Sequence, residues 1–193
     1  ADADVFAQGY RSGAMERRGL GPEAVAAIRP GIVYVTMNCY GDVGPWRQRP
    51  GWEQLAQTVS GIAAVQGGDG PPTLIPAAAC DYTTGYLAAL GTIAALWRRS
   101  HEGGSYHVRA SLCQTAGWFA GESRVEREAA SGFGNVDQFL VTTATPFGTL
   151  RHLAPVTQMS ATQPHWALPT TPLGSHAAEW IAANPEAVAG KKR

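Results

Sequence analysis

Pro22-Glu23-Ala24-Val25-Ala26-Ala27-Ile28-Arg29-Pro30-Gly31-Ile32-Val33-Tyr34-Val35-Thr36 is the stretch that decides how this chain folds. Proline suits a first helical position, where its missing N–H has no helical partner, and Pro30-Gly31 stops the helix after Ile28. Ile32 to Thr36 is uniformly apolar and β-branched, the pattern of a buried, parallel strand. Upstream, Val5 to Ala7 reads as a short strand entering Gln8-Gly9-Tyr10-Arg11-Ser12-Gly13, a loop whose glycines permit close backbone approach to a ligand. Ala14 to Arg18 forms a helical turn that Gly19 ends. Strand, helix and parallel strand make a βαβ unit, so the predicted fold class is α/β.

Downstream, Gly41-Asp42-Val43-Gly44-Pro45 is a turn and a helix runs from Trp52 to Ser60. Gly67-Gly68-Asp69-Gly70-Pro71-Pro72 is a flexible surface loop. A long helix covers Thr83 to Arg99, with Leu87, Leu90, Ala94 and Trp97 as its apolar stripe. Tyr106 to Leu112 alternates polar and apolar residues, the pattern of a half-exposed strand, and Gln114 to Ala130 is helical. From Ser131 onward prolines recur and the chain reads as largely irregular. The expected organisation is an α/β core over 1–130 and an extended, Pro-rich segment over 131–193.

Lys plus Arg and Asp plus Glu both number 15, so no net field draws the chain to nucleic acid or to an anionic membrane. No apolar run has the length of a membrane span. Cys39, Cys80 and Cys113 are widely spaced among apolar neighbours and read as reduced thiols of a cytoplasmic protein. They show no zinc-ligand spacing and the five histidines form no cluster with them, so no metal is expected. The first residue is not Met, and Ala1 to Ala7 reads as the entry to a strand, which predicts further sequence upstream.

Ala79-Cys80-Asp81-Tyr82-Thr83-Thr84-Gly85-Tyr86 places one acidic residue where a Pro- and Ala-rich loop meets the long helix. A carboxylate there is favoured by the partial positive charge of the helix start. Locally two readings stand: a silent N-cap worth about 1 kcal/mol, or a reactive carboxylate.

The motifs in their order resemble family III of the CoA-transferases, the group that includes formyl-CoA and carnitine CoA-transferases and α-methylacyl-CoA racemase. Asp4-Val5 with Tyr10-Arg11-Ser12-Gly13 is similar to an aspartate-valine … aromatic-arginine-proline-glycine segment, Ser12 replacing the proline. Arg17-Arg18-Gly19-Leu20-Gly21, Arg29-Pro30-Gly31-Ile32-Val33-Tyr34, Pro50-Gly51-Trp52-Glu53, Gln57 to Gly61, Asp81-Tyr82-Thr83-Thr84-Gly85 and Ala94 to Arg99 continue it. Ser160 to Pro164 and Pro172 to His176 resemble the closing segment.

The resemblance implies part of a Rossmann-like large domain and CoA transfer between an acyl-CoA and a carboxylic acid. It implies that Asp81 attacks the thioester to form a mixed anhydride, and that Glu53 stands beside the reacting carboxyl group. Arg17 and Arg11 are the implied phosphate contacts, Gln8, Gly9 and Tyr10 the loop against CoA, and Trp52 a pocket wall. Each has a plain competitor: an exposed first-turn glutamate for Glu53, solvated arginines for Arg17 and Arg11, core packing for Trp52. CoA is then a substrate, and the implied assembly is an interlocked homodimer. Members of this family carry a further nucleotide-binding half and an inserted small domain that have no counterpart here. The chain therefore reads as partial, and a non-catalytic chain or a subunit needing a second chain is the alternative. In the racemase branch a histidine follows the proline-glycine pair. Here Trp52 stands there, and tryptophan is no general base.

Overall fold

Strands β1 (Val5–Gln8), β2 (Val33–Asn38) and β3 (Tyr106–Ser111) run parallel in the order β1-β2-β3. Val5 pairs with Val33, and Val33 with Tyr106. The computed structural model describes residues 2–122 and 134–179. The chain divides into two compact units, Ala1–Val125 and Glu126–Arg193. The boundary expected at 130/131 lies outside the described residues.

In the first unit, helix α1 (Pro22–Ile28) connects β1 to β2 with Pro22 in its first turn, as its sequence predicts. Helices α2 (Glu53–Val59), α3 (Ile62–Gly67) and α4 (Ala79–Glu102) lie between β2 and β3, and α5 (Leu112–Gly121) follows β3 directly. Strand β2 is central and its residues Val33 to Thr36 are buried. One face of the sheet carries Tyr34 and Ile32 against Val25 of α1. The other carries Val33 and Val35 against Ala88 and Ala95 of α4. A βαβ unit needs helix cover on both faces, and here each face has it. At the lower edge Arg99 ties the layers together, donating to Gly31 O (2.9 Å) and to Asp4 Oδ1 (3.1 Å).

Several boundaries differ from expectation for identifiable reasons. Helix α4 begins four residues before Thr83, because a side chain from α2 satisfies its first N–H groups. Helix α5 begins at Leu112, since the Ser111 hydroxyl accepts from Gln114 N–H and caps it. The 123–130 part of the expected helix lies outside the described residues. The sequence reading has no counterpart of α3, a short helix set in a Gly-rich context.

The buried stripe of α4 is Cys80, Thr84, Ala88 and Ala95. It does not coincide with the Leu87, Leu90, Ala94, Trp97 stripe that the sequence displays, and those four are exposed. Small residues let the helix approach the sheet closely: a Cβ on Gly91 would lie 2.8 Å from Val108 Cγ1.

In the second unit, β4 (Leu140–Thr145) and β5 (Gly148–Leu153) form an antiparallel hairpin around Pro146-Phe147. This corrects the expectation of irregular chain from Ser131. The Thr-rich β-branched run 141–145 favours a strand, and Pro146 falls in the turn, where it interrupts no ladder. Arg151 pairs with Asp137, and Trp166 Nε1 donates to Leu153 O (3.3 Å). From 154 to 179 the described residues hold no helix or strand. Among the described residues no helix is long and apolar enough to cross a membrane.

The Pro50-Gly51 pair has a steric reason. A Cβ on Gly51 would lie 2.5 Å from Cys39 Cβ and Sγ and 2.8 Å from the Tyr40 ring. Gly51→Ala is expected to lower stability by about 1–3 kcal/mol, the usual cost of overpacking, in a denaturant melt.

Candidate active site

Open parallel sheets present ligands at the carboxyl ends of their strands, and all three strand ends here meet one cleft. After β1 come Gly9, Tyr10 and Arg11; from β2 and its end come Met37, Asn38, Cys39 and Tyr40; after β3 comes Leu112. The far wall is built by Arg47, Arg49, Gly51 and Trp52, and by Asp81, Thr84 and Gly85 of α4. The cleft holds about 340 Å³.

Asp81 is the third residue of α4, whose N-cap position is Ala78, so Asp81 is not the N-cap that its local sequence allows. The cap comes from elsewhere. The Glu53 carboxylate, 4% exposed, accepts from the N–H of Asp81 through Oε2 (2.6 Å) and from the N–H of Cys80 through Oε1 (3.2 Å). Ala78 has no side chain able to do this, and unpaired N–H groups at a buried helix start are costly. Gln57, one turn after Glu53 on α2 and 1% exposed, donates to Glu53 Oε1 (2.7 Å) and to Ala77 O (3.1 Å). Its own oxygen accepts from Ile75 N–H (2.8 Å). Thr84 and Thr115 share a buried hydroxyl–hydroxyl bond of 2.7 Å that pins α4 to α5.

The two carboxylates titrate in opposite directions. For Glu53, burial pushes toward the neutral form. The Gln57 amide and the N–H groups of Asp81 and Cys80 overcome it and hold the group below its usual value. Asp81 is raised, first by burial and then by the Glu53 charge. The neighbouring thiols are poor competitors as nucleophiles. Burial pushes both Cys39 and Cys80 up to about 12, and the Glu53 charge adds to the effect at Cys80.

The structure gathers most, not all, of the residues singled out from the sequence. Gly9, Tyr10, Arg11, Trp52 and Asp81 share the cleft. Trp52 is 57% exposed, so it is a cleft wall and not core packing. Glu53 is neither exposed nor lining the cleft; it is buried behind Asp81. Gln8 is also turned inward, its Nε2 donating to Thr36 Oγ1 (3.3 Å) and its Oε1 accepting from Tyr10 N–H (2.8 Å). It shapes the loop from below. Arg17 sits on an exposed 3-10 turn, Glu16–Arg18, and is not among the cleft residues.

Arg47 and Arg49 do line the cleft and escape the sequence reading, which takes that stretch only as the region after a turn. The Arg49 guanidinium lies 4.7 Å over the Trp46 ring, and Trp46 meets Tyr40 edge-on at 5.6 Å. Two arginines within a turn that follows the carboxyl end of a buried strand were the available signal. With Arg11 they give the cleft three guanidinium groups, a donor set matched to phosphate or carboxylate.

Glu53→Ala would leave two α4 N–H groups and one N–H of the Gln57 amide without their acceptor, a loss of roughly 1.5–3 kcal/mol at neutral pH. Because the folded pKa of Glu53 lies below its unfolded value of about 4.3, its contribution is full above that pH and is lost as pH falls through the folded value. The stability difference between the native protein and Glu53→Ala in denaturant melts is therefore expected to narrow as pH falls through the folded value of Glu53.

Comparison with known proteins identifies the family. The sequence profile described as CoA-transferase family III matches residues 1–177. An acyl-CoA transferase of Gibberella moniliformis is 41% identical over 121 residues, 57% of this chain and 21% of that protein. The succinyl-CoA–L-malate CoA-transferase beta subunit of Chloroflexus aurantiacus is 32% identical over 117 residues, 60% of this chain and 29% of that one. The crystal structure of Rv3272 from Mycobacterium tuberculosis superposes with a TM-score of 0.58 at 30% identity, covering 61% of this chain and 33% of that chain. The chain thus spans between a fifth and a third of the length of these relatives. A profile match over most of its length, on a parallel sheet whose strand ends converge on Asp81, makes this chain a member of CoA-transferase family III.

Proposed function

We propose that this chain carries the nucleophile segment of a CoA-transferase, with Asp81 as the attacking carboxylate. One observation carries the reading: among the described residues, Asp81 is the single carboxylate lining a cleft to which three arginines contribute. A structural aspartate at a helix start would satisfy backbone N–H groups. Here Glu53 does so, leaving the Asp81 side chain free for chemistry.

In the proposed sequence an Asp81 oxygen attacks the thioester carbonyl carbon, the C–S bond breaks, and CoA leaves as thiolate. The product is a mixed anhydride between Asp81 and the acyl group. The thiolate then attacks the Asp81 carboxyl carbon, the acyl group leaves as a carboxylate, and Asp81 becomes a CoA thioester. The acceptor carboxylate attacks that thioester and expels the thiolate. Attack of the thiolate on the acceptor's carbonyl then yields the new acyl-CoA and regenerates Asp81. Ionised Asp81 is required for the first step, so its raised pKa places the acid limb of the reaction above the ordinary aspartate value.

Arg11, with Gly9 and Tyr10, is proposed to contact CoA from the β1 loop, and Gln8 to hold that loop in shape. Arg17 is proposed as an outer phosphate contact on the adjoining turn. Glu53 acts on Asp81 through its N–H and its charge. Trp52 bounds the acyl or pantetheine region. Gly85 lines the same wall, and a Cβ there would meet nothing within 4 Å, which leaves room for an acyl group. A reduced cytoplasmic setting without metal fits this chemistry, which uses none.

A homodimer is part of the same reading. Tyr82, Tyr86, Leu90, Ile93 and Trp97 recur on α4 every three or four residues, each more than 60% exposed. A continuous row of large apolar side chains on one helix face is a surface built to be covered. Sedimentation at micromolar concentration is expected to show a dimer that Leu90→Lys with Ile93→Lys weakens. A native monomer would refute the dimer.

Incubation with acetyl-, succinyl- and palmitoyl-CoA in turn, followed by hydroxylamine and peptide mass analysis, is expected to place a hydroxamate on Asp81 with at least one donor. Asp81→Ala should abolish it. Absence of the adduct with all donors, or its persistence in Asp81→Ala, overturns the reading. Arg11→Ala and Arg17→Ala are each expected to weaken CoA binding by roughly 1.5–3 kcal/mol, about tenfold or more, in equilibrium titration.

A further inference from the structure

We propose that Gln57 is a positioning residue for Asp81: its carboxamide, locked by three hydrogen bonds, sets both the Glu53 carboxylate and the 75–77 loop from which α4 starts. The proposal rests on the reading of Asp81 as nucleophile.

The geometry leaves the amide one orientation. Nε2 donates to Glu53 Oε1 (2.7 Å) and Ala77 O (3.1 Å), and Oε1 accepts from Ile75 N–H (2.8 Å). Turning the amide over would set its oxygen against two oxygens and its NH₂ against an N–H, so all three contacts would become repulsive. The side chain is 1% exposed, and water offers no substitute. Gln57 therefore behaves as a fixed bracket.

The bracket reaches Asp81 along two routes. Through Glu53 it fixes the rotation of a carboxylate whose Oε1 takes the Cys80 N–H and whose Oε2 takes the Asp81 N–H (2.6 Å). Through Ile75 and Ala77 it holds the chain that enters α4 at Ala79. Without the amide, Glu53 keeps its burial and the Cys80 and Asp81 N–H donors but loses the side-chain donor that holds Oε1 from α2. The carboxylate and the first turn of α4 that rests on it are then less tightly placed. A nucleophile misplaced by about 1 Å can lose on the order of 100-fold in rate with binding unaffected, since the substrate is held by other groups. Gln57 touches no cleft surface, so it acts only through Glu53 and the loop.

Glutamate at position 57 gives a graded test, because its protonated form can donate to Glu53 and accept from Ile75, whereas its ionised form can do only the second. The ionisable groups around this network are Glu53 on α2, Cys80 and Asp81 on α4, and Cys113 on α5; the 75–77 loop contributes backbone only. Both variants are compared with the native protein by the rate of hydroxylamine-trapped adduct at saturating acyl-CoA, per folded molecule, from about pH 5 to about pH 9. CoA affinity is measured separately with CoA itself.

Gln57→Leu is expected to slow adduct formation roughly 10- to 100-fold with CoA affinity within about twofold of native. For Gln57→Glu, the rate relative to native should be highest at the acid end and fall about tenfold or more toward the alkaline end. Should Gln57→Leu fail to fold, the pH course of Gln57→Glu decides alone. A flat ratio, or a CoA affinity that falls in step with the rate, overturns the role of Gln57 while the native adduct leaves Asp81's own role standing. A native protein that forms no adduct on Asp81 overturns both.

Discussion

The Glu53 carboxylate on the first N–H groups of α4 is the constraint on which the rest of this site depends. It is a charged cap delivered from a different helix, with Oε2 2.6 Å from the Asp81 nitrogen. An aspartate at a helix start usually caps its own helix. When another carboxylate takes that work, the aspartate side chain is released into the cleft, and the two acids acquire opposite environments. Glu53 is stabilised in its ionised form by three N–H donors, and Asp81 is pushed toward the neutral form by burial and by its neighbour. Pairs of acids driven apart in this way are a recurring mark of reactive sites.

The sheet supplies the place for that pair. Parallel strands end together, so the loops after β1, β2 and β3 reach one cleft although their residues lie far apart in the chain. The small buried face of α4 brings the helix close enough to β3 for Gly91 to press on Val108, and this sets Asp81 beside those loops. The large apolar side chains are displaced to the outer face of α4 as a direct result. One helix thus serves two surfaces, a small-residue face toward the sheet and a large-residue face proposed to meet a second copy.

The arginines of the cleft divide by how they are held. Arg49 is stacked on Trp46, and Arg47 donates to Gly44 O at 3.4 Å, so the rim around Tyr40 and Trp46 presents its charges on aromatic and backbone supports. Arg17 belongs to an exposed 3-10 turn and is not among the cleft-lining residues. A guanidinium group on a supporting surface loses less side-chain freedom on meeting an anion, which favours the rim for the closer phosphate or carboxylate contacts.

Local pattern was sufficient for the βαβ start. Proline at the head of α1, the apolar run of β2 and the alternation of β3 are carried by neighbouring residues, and each element lies where those residues indicate. Motif order was sufficient to identify the family. What local pattern could not settle were contacts between residues distant in sequence. On local pattern alone Glu53 reads as an ordinary first-turn glutamate; the resemblance places it beside the reacting carboxyl group, and α4, 27 residues on, lays the N–H groups of Cys80 and Asp81 against it. The stripe of Leu87, Leu90, Ala94 and Trp97 has helical period whichever face turns inward. Periodicity fixes the angle between side chains and not the direction in which the helix is rolled. That roll and the inward turn of Gln8 come from packing against the sheet, which only the tertiary structure decides.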